Sequence, residues 1–165
     1  MAVNRHEIIK SLILAHKTMT EVLALLSEEQ INNLLITDIW TPKDVISHLT
    51  EWNIEYVKEI DNILNDNPTW QELYESEEGT NKLNEKSVVK RRTANSQEII
   101  KEWHEAFDKL LEKIKNLTEE EWLYESSTGV WTDGKPITVN TIFEYTYNGL
   151  SHEAGHAEKI RGLIR

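Results

Sequence analysis

Thr41-Pro42-Lys43-Asp44-Val45-Ile46-Ser47-His48-Leu49-Thr50-Glu51-Trp52 is the stretch whose reading decides the fold. Thr41 stands where a side-chain cap is needed, and Pro42 takes the first helical position, where its missing N–H costs nothing. Asp44 faces the positive end of the helix dipole. Beyond it Val45, Leu49, Trp52, Tyr56, Ile60 and Ile63 recur three or four apart, the spacing of one helical face, until Asn65-Asp66-Asn67-Pro68 stops the pattern.

Three more segments carry the same period. On the amino-terminal side, Ile8, Leu12, Ala15, Met19, Val22 and Leu26 form a continuous stripe. A third helix begins after Asn95-Ser96 and presents Ile99, Trp103, Phe107, Leu110, Ile114 and Leu117. A fourth is expected to start near Thr138, with Ile142, Tyr145, Gly149, Ile160 and Leu163 on one side. No strand alternation is visible, so the expected class is all-α.

Leu26-Ser27-Glu28-Glu29 matches Leu117-Thr118-Glu119-Glu120, and Trp40-Thr41 matches Trp131-Thr132, both pairs 91 residues apart. Each half thus reads as a helical hairpin with a Ser/Thr-capped acidic turn inside it. Thr69 to Ala94 separates the halves by far more than a tight turn, so the second and third helices need not be antiparallel. The expectation is an up-down-down-up four-helix bundle over residues 1–165, one domain, with a long polar crossover holding extra helix. The loop from Tyr124 to Ile137, with Gly129 and Gly134, is expected to lie over one end.

Of the 165 residues 28% are charged and 39% hydrophobic, which is ordinary globular usage. The formal charge of -11 opposes nucleic acid and anionic membrane surfaces, so neither is expected as a partner. Lys90-Arg91-Arg92 reads as a solvated helix face. No apolar run reaches the roughly 20 residues that span a bilayer, and Lys10, Ser11, His16 and Lys17 break the amino-terminal apolar segment as no signal peptide would. A cytoplasmic location is the expectation. With no cysteine, any metal must sit on His, Asp or Glu.

Six histidines are present, and three of them fall on apolar faces. His152 and His156 lie four apart, on one helical face, within the fourth stripe. His48 lies three after Val45 and four before Trp52, on the inner face of its own helix. An inward imidazole needs partners for both nitrogens, and a shared ion supplies one to each ring. Two ligands from one helix and one from a facing helix make a three-nitrogen site with positions left for water or substrate. His152-Glu153-Ala154-Gly155-His156 also matches the zinc-protease motif, but after His156 only Glu158 remains as a further ligand, so that reading is set aside. Glu153 sits about 100° around the helix from His152 and reads as a supporting or surface residue. His6, His16 and His104 fall off the core register and read as solvated. Trp52, Tyr56, Tyr145 and Gly149 are candidate pocket-lining residues, with Tyr145 and Glu153 the candidate proton carriers.

Trp40 to Leu49 with Trp52, and His152 to Ile160, resemble the two signature segments of the DinB/YfiT-like superfamily. Trp131-Thr132-Asp133-Gly134-Lys135-Pro136 is similar to the ClbS/DfsB branch of the same fold. The resemblance implies a frequently dimeric bundle that holds nickel, zinc or a similar divalent ion on one histidine of the second helix and the pair of the fourth. Those positions are His48, His152 and His156. It also implies thiol S-transfer or metal-dependent hydrolysis of a small molecule, or, in the ClbS branch, protection against a reactive product. A non-catalytic bundle that binds a small ligand is the competing expectation.

Overall fold

The computed structural model describes residues 4–70, 77–131, 133–144, 146–147 and 150–164, with backbone alone at 77, 146 and 147. Helix α1 runs over Arg5–Leu23, capped by the Asn4 side chain, which accepts from the His6 N–H. A short α2, Glu28–Asn33, follows under a reciprocal Ser27/Gln30 capping box. Helix α3, Pro42–Leu64, starts under the same device: Thr41 Oγ1 accepts from the Asp44 N–H, while Asp44 Oδ2 accepts from the Thr41 N–H at 2.9 Å. The crossover carries α4, Glu77–Arg91, and Asn95 with Glu98 caps α5, Ser96–Asn116. Thr118 with Glu121 caps a one-turn α6, Glu119–Trp122. The internal repeat is thus physical: Ser27 and Thr118 each open a short acidic helix directly after a long one.

Two core clusters fix the helix directions. One gathers Met19, Val22 and Leu23 from the end of α1, Val45, Ile46 and Leu49 from the start of α3, and Ile99 and Trp103 from the start of α5. The other takes Ile8 and Leu12 from the start of α1, Ile60 and Ile63 from the end of α3, and Leu110 and Ile114 from the end of α5. α3 and α5 therefore run parallel and α1 opposes both. The last helix, α7 over His152–Leu163, places Ala157 and Ile160 in the first cluster and so runs with α1. This is the up-down-down-up order, and the crossover is what makes two neighbouring helices parallel. Among the described residues no helix is long and apolar enough to cross a membrane.

Three expectations change. The basic run does not form a solvated face: Arg91 is 3% exposed, and its guanidinium binds both Glu102 oxygens, at 2.6 and 2.9 Å, and Glu51 Oε2 at 2.8 Å. That fork ties the end of α4 to α3 and α5 together. Strands are present: β1, Glu125–Val130, pairs antiparallel with β2, Pro136–Thr138, around a turn in which Gly134 takes φ +81°. β1 buries only Ser126, so it shows no apolar alternation to be read. The fourth helix is also shorter than its stripe. A 3-10 turn at Thr141–Glu144 and a two-residue ladder of β3, Thr146–Tyr147, with β4, Leu150–Ser151, intervene before it starts. Ile142 is buried from that 3-10 turn rather than from a helix, so its helical spacing to the histidines is coincidental. Tyr145 and Gly149 lie outside the described residues.

Candidate metal centre

His48 sits in the second turn of α3, with His152 and His156 in the first two turns of α7. His48 and His156 are buried and His152 is nearly so. The Nε2 of His152 lies 2.9 Å from Nε2 of His48 and 3.2 Å from Nε2 of His156. One ligand atom from each of the three falls within 4.8 Å of the other two.

These distances pose a chemical problem that an ion solves. A neutral imidazole nitrogen carries either one N–H or one in-plane lone pair, so Nε2 of His152 can satisfy at most one of its two neighbours. Three lone pairs converging on one cation satisfy all of them, and donors about 2.0–2.1 Å from a shared zinc stand roughly 3 Å apart. Electrostatics keeps the three rings neutral at neutral pH. Burial pulls His152 down to about 4; burial, the His152 charge and Lys159 pull His156 down to about 3. Burial, then His152 and His156, hold His48 well below its usual value, with Asn84 acting in the other direction. The donor set therefore fits a divalent ion.

Trp40 and Trp52 flank the cluster, their rings 5.1 and 6.2 Å from that of His48. Trp52 donates from Nε1 to Asn84 Oδ1 at 2.9 Å, so α4 reaches the site through Asn84, a residue that nothing in the stripe pattern singled out. Tyr56 lies farther along α3, stacked on Phe143 within the other core cluster. A cleft of about 980 Å³ opens beside the cluster, lined by Trp40, Lys43, Asn84, Arg92, His156 and Lys159 among others.

Two histidines, His16 and His104, were misplaced by register, and Glu153 lies inside the bundle rather than on its surface. Glu153 is 8% exposed, and its Oε1 lies 2.9 Å from Nδ1 of a half-buried His16. Nε2 of His16 lies 2.7 Å from Nδ1 of His104, and the His16 ring stacks on Phe107 at 3.7 Å. Burial raises the pKa of Glu153, and the His16 contact opposes it. Its carboxylate is thus committed to the bundle interior. His16 and His104 are not solvated as expected, because α7 packs against α1 and covers positions at the edge of the α1 and α5 stripes. His6 is exposed, as read.

The mycothiol maleylpyruvate isomerase N-terminal domain family matches residues 12–145. No curated protein matches the chain. Among solved structures the chain is similar to the colibactin self-resistance protein ClbS in complex with double-stranded DNA, at TM-score 0.74 and 15% identity over 99% of this chain and 98% of that one. It is similar to DfsB, a sibling lethal factor precursor, at TM-score 0.73 and 16% identity over 99% and 96%. The mycothiol-dependent maleylpyruvate isomerase matches at TM-score 0.64 and 13% identity over 96% of this chain but only 58% of its own. The exclusion of nucleic acid drawn from net charge does not stand, since ClbS, a protein of this fold, is held in complex with duplex DNA. Net charge is a property of the whole surface, whereas such contacts depend on where individual cations lie. By its sequence match over most of its length, the chain belongs to the mycothiol maleylpyruvate isomerase N-terminal domain family, within the DinB/YfiT-like superfamily.

Proposed function

We propose that the chain is a divalent-metal-dependent enzyme that directs a thiol or water onto a small electrophile, with His48, His152 and His156 holding nickel or zinc. The observation that carries this reading is the convergence of Nε2 of His48 and Nε2 of His156 on Nε2 of His152, like atoms whose lone pairs a single cation would accept together. A divalent ion held there supplies Lewis acidity, which lowers the pKa of a thiol or of water and raises the population of a nucleophile near neutral pH. The protein contributes orientation and exclusion of water. Trp40 and Trp52 shield the His48 ring, and Asn84 fixes Trp52. Glu153 is directed at His16 and serves to position the start of α7, and with it His152, rather than to carry protons. The test is metal analysis of purified protein joined to an assay of thiol conjugation and hydrolysis with and without chelator. Bound metal with chelator-sensitive turnover supports the reading, while a protein that takes up neither zinc nor nickel refutes it.

The likeness to ClbS over nearly the whole of both chains favours a second reading, self-resistance, in which the same centre consumes a reactive electrophile in association with duplex DNA. Retarded migration of duplex DNA by the purified protein would favour it over a purely small-molecule enzyme.

A further inference from the structure

We infer that Glu59 is a positioning residue for the histidine cluster: it holds Trp70 against Trp52, and through that contact holds Trp52 against the rings of His48 and His152. Its bearing on chemistry rests on the reading of that cluster as a metal centre. Glu59 is fully buried in α3, and among the described residues it forms no salt bridge. Burial lifts its pKa to about 7; the Trp70 N–H and the Asn62 side chain oppose that lift, and the Glu55 charge adds to it. An apolar residue would fill this core position without the desolvation cost. It could not do what Glu59 Oε1 does, which is accept from the Trp70 N–H at 2.9 Å, eleven residues on.

That bond acts on the centre through a line of rings. His48, Trp52, Tyr56 and Glu59 stand four, four and three apart, so they share one face of α3. Past the end of α3, Asp66 takes φ +53° and Pro68 follows, and the chain returns along this face. There the half-buried Trp70 ring meets Tyr56 at 4.9 Å and Trp52 at 5.4 Å, edge to face in both cases. Trp52 in turn meets His152 at 6.1 Å and His48 at 6.2 Å, again edge to face. Asn84 accepts from Trp52 Nε1, but a single hydrogen bond fixes a point and not a plane. The Trp70 contact adds a constraint on the tilt of the Trp52 ring, and Glu59 is what anchors Trp70 to α3. Glu59 thus acts from about three turns away without touching the cluster.

The test is fluorine NMR of the full chain labelled with fluorotryptophan and free of metal, the Trp52 line being assigned with Trp52→Phe, together with a zinc competition titration of each unlabelled variant. Glu59→Leu is expected to displace the Trp52 line and to weaken zinc binding about 2- to 10-fold, the worth of one edge-to-face aromatic contact. Glu59→Gln keeps an oxygen that accepts from the Trp70 N–H, so it should return both readouts to wild type. Trp70→Leu should reproduce Glu59→Leu, and it carries the test if Glu59→Leu does not fold. Ile63→Ala, one turn farther along the same core, should lower Tm yet leave the Trp52 line and zinc affinity as they are. A Trp52 line that stays in place in folded Glu59→Leu or Trp70→Leu, with zinc still bound by the wild type, would overturn the positioning role and leave the metal reading standing. So would an equal displacement in Ile63→Ala, which would reduce Glu59 to a contributor to stability. A wild type that takes up no zinc while its Trp52 line answers to Glu59→Leu and is rescued by Glu59→Gln would support the positioning role and strike the metal reading instead.

Discussion

Helix α7 presents two histidine-containing clusters on two faces, and they are built on opposite logic. On one face His48, His152 and His156 turn three like atoms toward a single point. On the other, Glu153, His16 and His104 form a chain: Nδ1 of His16 lies 2.9 Å from the carboxylate, and Nε2 of His16 lies 2.7 Å from Nδ1 of His104. In the chain one tautomer, with the proton of His16 on Nδ1 and that of His104 on Nδ1, pairs a donor with an acceptor at each contact, so protons alone suffice. In the convergent cluster three like atoms compete for the same protons, whereas one cation would engage a lone pair from each ring. The difference teaches that histidine count and burial do not distinguish a metal centre from a structural network; the direction of the lone pairs does.

The comparison breaks most decisively at the ligands. His152→Ala is expected to lower zinc affinity by at least ~100-fold, since it removes one of three ligands, while His104→Ala should leave it within about threefold. Competition titration against a chromophoric chelator measures both. Equal effects of the two variants would erase the distinction.

The pH dependence of the metal-free protein ranks next. His152 and His156 titrate at about 4 and about 3 in the fold, against about 6.5 in an unfolded chain. Their folded values are depressed, so below about 6.5 the unfolded chain binds more protons than the native one. The stability they contribute is present above that value and is lost as pH falls toward 3. Thermal unfolding should show Tm dropping steeply from pH 7 to pH 4 without metal, and less steeply in His152→Asn/His156→Asn. A Tm that is flat in the wild type over that range would contradict the burial of neutral rings.

The chain should behave as a structural element. His16→Ala strips the buried Glu153 of its partner and is expected to cost about 1–3 kcal/mol of stability, read by urea unfolding, with zinc still bound. A loss of zinc affinity matching that of His152→Ala would instead make the two faces one site. Asn84→Ala gives the smallest effect, a roughly tenfold or lesser loss of zinc affinity through the freed Trp52 indole, checked by the same competition titration.

Much of this was legible before any coordinates. The Thr41-Pro42-Lys43-Asp44 start of α3 follows from local capping chemistry, and the parallel middle helices follow from crossover length. His48 was found because it lies squarely on an apolar stripe, and His152 and His156 by their spacing of four, since within α7 only Ile160 of the expected stripe is buried while Leu163 is exposed. His16 and His104 were missed because each sits at a stripe edge, where burial depends on which helix lies alongside rather than on its own neighbours in sequence. β1 was missed because it buries a serine and not apolar residues. The early end of the fourth helical pattern was missed because Ile142 happens to keep the helical spacing from within a 3-10 turn. Asn84 lies on a polar crossover helix whose role is set entirely by what it packs against. The exclusion of nucleic acid treated a sum of charges as if it were a surface.

X-ray absorption spectroscopy of the zinc-loaded protein tests the central claim most directly, because it counts the imidazoles around the ion. The account predicts one zinc per chain with three imidazole nitrogens at about 2.0–2.1 Å, the remaining shell filled by oxygen donors. A shell with two imidazoles or fewer, or a protein that takes up no zinc at all, would contradict it.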